Sequence, residues 1–259
     1  MKNTFRDIFN RVARPVQHLV TEMPLKVQTG LVLVGDAFVT TFGTVTDNPL
    51  WILAGITSTA SNLIRLSFGT GGKWDTSLPP PSPWDIVKFP KEVIMYTVDT
   101  FSKQYWKDVK DAIQSASVKD VVNKLKNSWQ VHKNPLDASL LGYIACSSCF
   151  LADGLNVLKI NPGVSPETLA FSIPFIAGST MAFVTNDNTS AGKLLAASSV
   201  VFMAAAAHKA ISTTNSGGAY LVAAGLFYLF GDYVFGKVKT DHQSAHHTHK
   251  NAEITPPQG

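Results

Sequence analysis

The sequence predicts an all-α, multi-pass transmembrane helical bundle. Six spans are arranged as three hairpins, with an amphipathic N-terminal helix and a helical cytoplasmic insert. Three observations carry this reading. Residues 137–236 hold almost no charge and fall into four apolar runs, 138–158, 168–184, 194–211 and 219–235. Each has roughly the ~17–25 residues that cross a hydrocarbon core. Two further runs, 27–45 and 50–68, lie near the N-terminus. Charge collects instead in 1–26, 69–137 and 237–259, whereas a water-soluble bundle would interleave it along every helix. The mean hydropathy of +0.10 averages over this segregation.

The elements follow in order. In residues 1–24, Phe5, Ile8, Phe9, Val12, Val16, Leu19 and Val20 recur at helical spacing, with Arg6, Arg11 and Arg14 off that face. This is the pattern of a helix lying in the headgroup plane, or of one covering the cytoplasmic face. Pro15 interrupts it. The first hairpin occupies 25–68 and turns at Thr46-Asp47-Asn48-Pro49, where Asn-Pro is a turn signal.

A polar insert spans 69–136. It opens with the stiff Pro79-Pro80-Pro81-Ser82-Pro83. A helix after Pro90 follows, with the stripe Ile94, Val98, Phe101, Tyr105, Val109, Ile113. A second helix starts at the capping-box-like Ser117-Val118-Lys119-Asp120, with the stripe Val118, Val121, Val122, Leu125, Trp129. Trp84, Trp106 and Trp129, each with lysines nearby, suit anchors at a water–lipid boundary.

The four-helix transmembrane region 137–236 is broken at Asn161-Pro162-Gly163, Asn186-Asp187-Asn188 and Asn215-Ser216-Gly217-Gly218. The polar, His-rich tail 237–259 reads as disordered. Lys2, Arg6, Arg11, Arg14, Lys26, the ten lysines of 73–133, Lys193, Lys237, Lys239 and Lys250 fall on one side of six spans, against Lys159 and Lys209 on the other. That bias puts both termini in the cytoplasm of a bacterial inner membrane or its equivalent. The Asn188-Thr189-Ser190 sequon then faces the cytoplasm and is not used.

An ionisable residue inside a span costs at least ~2.5–3.5 kcal/mol at mid-depth, so each one is a functional candidate. Asp36 lies nearest the midplane, Asp153 in the outer third of its span, and Asp232 and Arg65 towards the inner side. Either Arg65 pairs with one of these aspartates inside the bundle, or each reaches a boundary or makes a single interhelical hydrogen bond. Asn62 is a further polar candidate, and Pro174 should bend its helix. Cys146-Ser147-Ser148-Cys149 puts two thiols on one face in apolar surroundings, which fits buried packing better than redox exchange. His208 and Lys209 close a span on the outer side.

The sequence holds no phosphate loop, catalytic triad, zinc-ligand spacing or dinucleotide fingerprint. No enzyme, cofactor or metal site is therefore expected. A net charge of +4 argues against a dedicated nucleic-acid binder. The expected partners are the lipid bilayer and other membrane subunits or further copies of the chain. The large amphipathic cytoplasmic elements favour a structural or assembly protein that presents a surface to lipid or partner subunits. The alternative is a small-solute or ion transporter using Asp36, Asn62, Asp153 and the bend at Pro174.

Overall fold

The computed structural model describes residues 18, 23–68, 73–74, 91, 94–95, 97–98, 102–185, 188–213, 217–235 and 238–239. Its helices are α1 Pro24–Val45, α2 Pro49–Phe68, α3 Lys103–Gln114, α4 Val118–Ser128, α5 Pro135–Gly154, α6 Pro166–Thr185, α7 Asn188–Thr213 and α8 Gly217–Phe235. A two-residue strand pairing, β1 Lys73–Trp74 with β2 Val238–Lys239, joins the chain just after α2 to the chain just after α8. The tail reading put Val238 and Lys239 in a disordered segment; the pairing holds them instead. The N-terminal helix expected over 1–24, Trp84 and the rest of the tail lie outside the described residues, His18, Met23 and Pro24 apart.

Local sequence explains the helix starts. Prolines at the first helical position open α1 and α5, where a missing N–H costs nothing. Ser102 Oγ accepts the Tyr105 N–H at 3.1 Å and Ser117 Oγ the Asp120 N–H at 3.4 Å, capping α3 and α4. The stripe read as continuous from Ile94 to Ile113 is divided at Ser102, whose extended backbone (φ −75°, ψ 141°) restarts the helix. Ile94 and Val98, before that break, are exposed.

The six long helices form a closed ring. Each packs on the next in the order α1, α2, α5, α6, α7, α8, and α8 packs back on α1. Arg65 meets Gln28 and Ser139, Gly154 lies against Leu169, Gly178 against Leu194, Ser199 meets Asp232, and Gly35 and Gly231 lie against Tyr228 and Val32, so every neighbouring pair is antiparallel. A glycine sits in each of the six seams: Gly55, Gly142, Gly154, Gly178, Gly225 and Gly35, in ring order from α1/α2. A methyl at Gly142 would lie 1.8 Å from Ser61 Oγ, and one at Gly55 would lie 2.1 Å from Thr40 Oγ1. Such small residues let helix backbones approach closely in lipid. Gly142→Ala should cost about 1–3 kcal/mol. Ser61→Ala in the same chain should recover part of that loss in an unfolding titration in detergent.

Helices α5, α6 and the stretch Ser190–His208 of α7 are long and apolar enough to cross a membrane, and Gly218–Asp232 of α8 is a shorter apolar stretch. The lower hydropathy of α1 and α2 has a clear origin. Their polar residues, among them Gln28, Asp36, Ser58, Asn62 and Arg65, are buried towards the ring interior, while Val34, Leu53, Ile56 and Leu63 are exposed on its outside. In these two helices the polar residues thus face inward and the greasy ones outward.

Helices α3 and α4 pack at the end of the ring where α2 and α6 finish and α5 and α7 begin. Tyr105 donates to the Ser190 carbonyl at 3.2 Å and Lys124 to the Phe183 carbonyl at 2.6 Å. The Lys124 ammonium also lies 5.7 Å from the Phe183 ring centroid. Burial pulls its pKa below the usual lysine range, against the opposing pull of Asp137 and Asp120. Trp106 is half-buried against the bundle core, while Trp129 is exposed.

Candidate functional site: a cavity inside the helix ring

All six ring helices contribute to one central cavity. Its volume is about 40 Å³. The half towards α3 and α4 is polar, with Gln28, Arg65, Asp232 and Ser199 in its wall. The other half is aromatic, with Phe150, Phe171, Phe175 and Phe202.

Arg65 is the largest polar group there. Its position in the last turn of α2 carries the guanidinium between α1 and α5. Nε donates to Ser139 Oγ at 2.7 Å and Nη1 to Gln28 Oε1 at 2.9 Å. Its guanidinium carbon sits 4.8 Å from the Tyr143 ring centroid, within cation–π range. Across the cavity Asp232, half-buried, accepts from Ser199 Oγ at 2.7 Å and lies close enough to Arg65 for the two charges to act on each other. Among the described residues the buried Ser179 Oγ, also on the cavity wall, has no hydrogen-bond partner.

Asp36 is fully buried, one layer behind the wall. Oδ1 accepts from the Tyr228 hydroxyl at 2.9 Å and Oδ2 from Asn62 Nδ2 at 3.0 Å. Asn62 Nδ2 reaches the Ser58 carbonyl at 3.0 Å as well, and the Tyr143 hydroxyl donates to Asn62 Oδ1. Asp36 is therefore held by neutral donors from α2 and α8, and the pairing with Arg65 raised by the sequence is not what holds it. Ser58, Tyr143 and Tyr228 face the cavity, whereas Asp36 and Asn62 do not.

Asp153 belongs to a different place, the end of the ring away from α3 and α4. It is buried and collects three donors: Asn48 Nδ2 at 2.8 Å and Asn161 Nδ2 at 3.0 Å on Oδ1, and Trp51 Nε1 at 2.9 Å on Oδ2. This is neither a boundary-seeking carboxylate nor a lone interhelical bond. His208 faces Glu167, with Nδ1 3.3 Å from Oε1 and both side chains mostly exposed, rather than Asp153. The side chain of Lys209 lies outside the described residues. Cys146 and Cys149 are free, buried thiols. Pro174 is buried within α6 and has no N–H for the Ala170 carbonyl; one residue on, Ser198 of α7 donates 2.6 Å to the Phe171 carbonyl.

Sequence reasoning did not single out Gln28, Tyr143, Tyr228 or Ser199. A signal for the tyrosines existed, since each lies within an apolar run and a buried phenol needs a partner for its hydroxyl. For Gln28 and Ser199 the decisive fact is which face they occupy, and that depends on the ring. Comparison with protein-family models, curated proteins and solved structures finds no match.

Proposed function

We propose that this chain is an integral membrane protein of six spans, both ends cytoplasmic, that carries a small solute through its central cavity. The observation behind this is the lining itself. Six helices enclose one cavity that holds a guanidinium and a carboxylate at one end and four phenylalanines at the other. Intramembrane charges cost too much to be kept for packing alone, and here two of them face a shared space. The unpartnered Ser179 hydroxyl adds a polar group that an occupant can satisfy. Such a lining suits a solute with a charged or zwitterionic head and a small apolar body. The inside-out polarity of α1 and α2 supports counting them, with α8, as spans.

The test is uptake by the purified chain in sealed vesicles, using labelled amino acids, short carboxylates and sugars as probes. At least one should accumulate above protein-free vesicles. Asp232→Asn, which keeps the shape and removes the charge, should lower that uptake by about tenfold or more, the equivalent of about 1.4 kcal/mol. Absence of uptake and binding across the panel, or uptake indifferent to Asp232→Asn, would refute the carrier reading.

A second reading, an assembly scaffold presenting a cytoplasmic surface, is favoured by one observation: α4 leaves an apolar strip uncovered.

A further inference from the structure

The two amphipathic helices of the insert treat their apolar faces differently. In α3 the stripe is spent on the bundle: Val109 is buried, and Tyr105, Trp106 and Ile113 pack against the core. In α4 only Val121 does so, while Val118 is 78% exposed, Trp129, just past the helix end, is 85% exposed, and Val122 and Leu125 are exposed too.

The arrangement around α4 is directional. At about 100° per residue, Val118, Val122, Leu125 and Trp129 fall within about 60° of one another. The side that touches the bundle, Val121, Lys124 and Ser128, is about a quarter-turn away, and Asp120, Asn123 and Asn127 lie almost opposite the strip. Lys119 and Lys126 occupy the flank between strip and polar side, and His132 and Lys133 follow just beyond the helix; all four are exposed. One flank is therefore bundle, one side apolar, the opposite side neutral or acidic, and the border between apolar and polar is basic.

We infer that α4 lies in the headgroup plane of the inner leaflet, with its strip in the acyl boundary and Lys119 and Lys126 on anionic lipid headgroups. This rests on the second reading above and names the partner. A strip at right angles to the bundle contact is where a bilayer surrounding the bundle would meet the helix. Lysine stems run along apolar surface and put their ammonium groups at headgroup level, where the negative potential of an anionic leaflet attracts them. The only acid on the helix, Asp120, points the other way.

The experiment uses the full chain in vesicles of phosphatidylcholine with and without phosphatidylglycerol. The buried Cys146 and Cys149 are replaced by alanine, and a nitroxide is placed at Val122→Cys or Asn123→Cys. At position 122 the label should collide with oxygen and be shielded from a water-soluble nickel chelate, and at 123 the reverse. Adding phosphatidylglycerol should move the 122 label deeper, and Lys119→Gln with Lys126→Gln should abolish that shift. A 122 label as open to the chelate as the 123 label overturns the inference. So does a 122 label immobilised and shielded from both reagents, which would mean that protein covers the strip; that outcome leaves the scaffold reading standing with a different partner.

Discussion

Replacing Arg65 with leucine lowers the unfolding free energy by about 3–5 kcal/mol, the usual consequence of removing one member of a buried charged cluster. The guanidinium bonds Gln28 Oε1 and Ser139 Oγ and shares the cavity with Asp232. Ser139 keeps its own bond to the Leu136 carbonyl at 2.8 Å, so its loss is small. The penalty falls on the buried Gln28 Oε1, which loses its donor at 2.9 Å, and on Asp232, which loses the positive charge facing it and must take up a proton or stay charged beside Ser199. It follows that Arg65→Leu with Asp232→Asn should be less unstable than Arg65→Leu alone. Arg65→Lys should recover only part of the loss, because an ammonium is a point charge and cannot match the fork that spans α1 and α5. A denaturant titration of these three variants, the Asp232→Asn single variant and the wild type in one detergent measures this; strictly additive losses for Arg65→Leu and Asp232→Asn would show that the two residues do not interact.

Asp153→Ala is the second large effect, also about 3–5 kcal/mol, and of different origin. Three buried or half-buried donors, from Asn48, Trp51 and Asn161, lose their acceptor together. Asn48 does more than this. Its Oδ1 accepts the Leu50 and Trp51 N–H groups at 3.1 and 3.4 Å, capping α2, while its amide is given to Asp153. The carboxylate thus ties the start of α2 to the end of α5 and to the loop that follows. Trp51 is also the hub of the aromatic cluster at that end, with ring centroids 4.8 Å from Phe42 and 4.9 Å from Phe150. Asp153→Ala should therefore loosen that cluster, visible as a changed tryptophan emission, whereas Asp153→Asn retains an acceptor oxygen and should lose roughly half as much stability. Equal losses for the two variants would contradict this account.

Much of the fold could be read in the chain because its signals are local. The run lengths mark the long helices, Pro24, Pro49, Pro135 and Pro166 mark where four of them begin, and Ser117 marks the start of α4. The ring could not be read. Its closing seam joins Asp36 to Tyr228, 192 residues apart, and no periodicity within either helix says that they meet. The site was half legible for the same reason. Asp36, Asn62, Arg65 and Asp232 stood out by cost alone. Cost does not say which of them face the cavity, and Asp36 and Asn62 turned out to stand behind Ser58, Tyr143 and Tyr228. Asp153 stands out in the sequence in the same way, yet its three partners come from two loops and a helix start.

The central claim is that the greasy outside of the ring is immersed in lipid, including the three helices whose composition alone is equivocal. Val34 of α1, Ile56 of α2 and Leu226 of α8 lie near the middle of their helices and are 42%, 54% and 43% exposed. Cysteines placed one at a time at these positions, and at the exposed rim residue His208 as a control, can be challenged in intact membranes with a membrane-impermeant maleimide. The prediction is rapid labelling at 208 and none at 34, 56 or 226 until detergent and denaturant are added. Labelling at the three mid-helix positions as fast as at 208 would mean that they face water, and the membrane ring would be wrong.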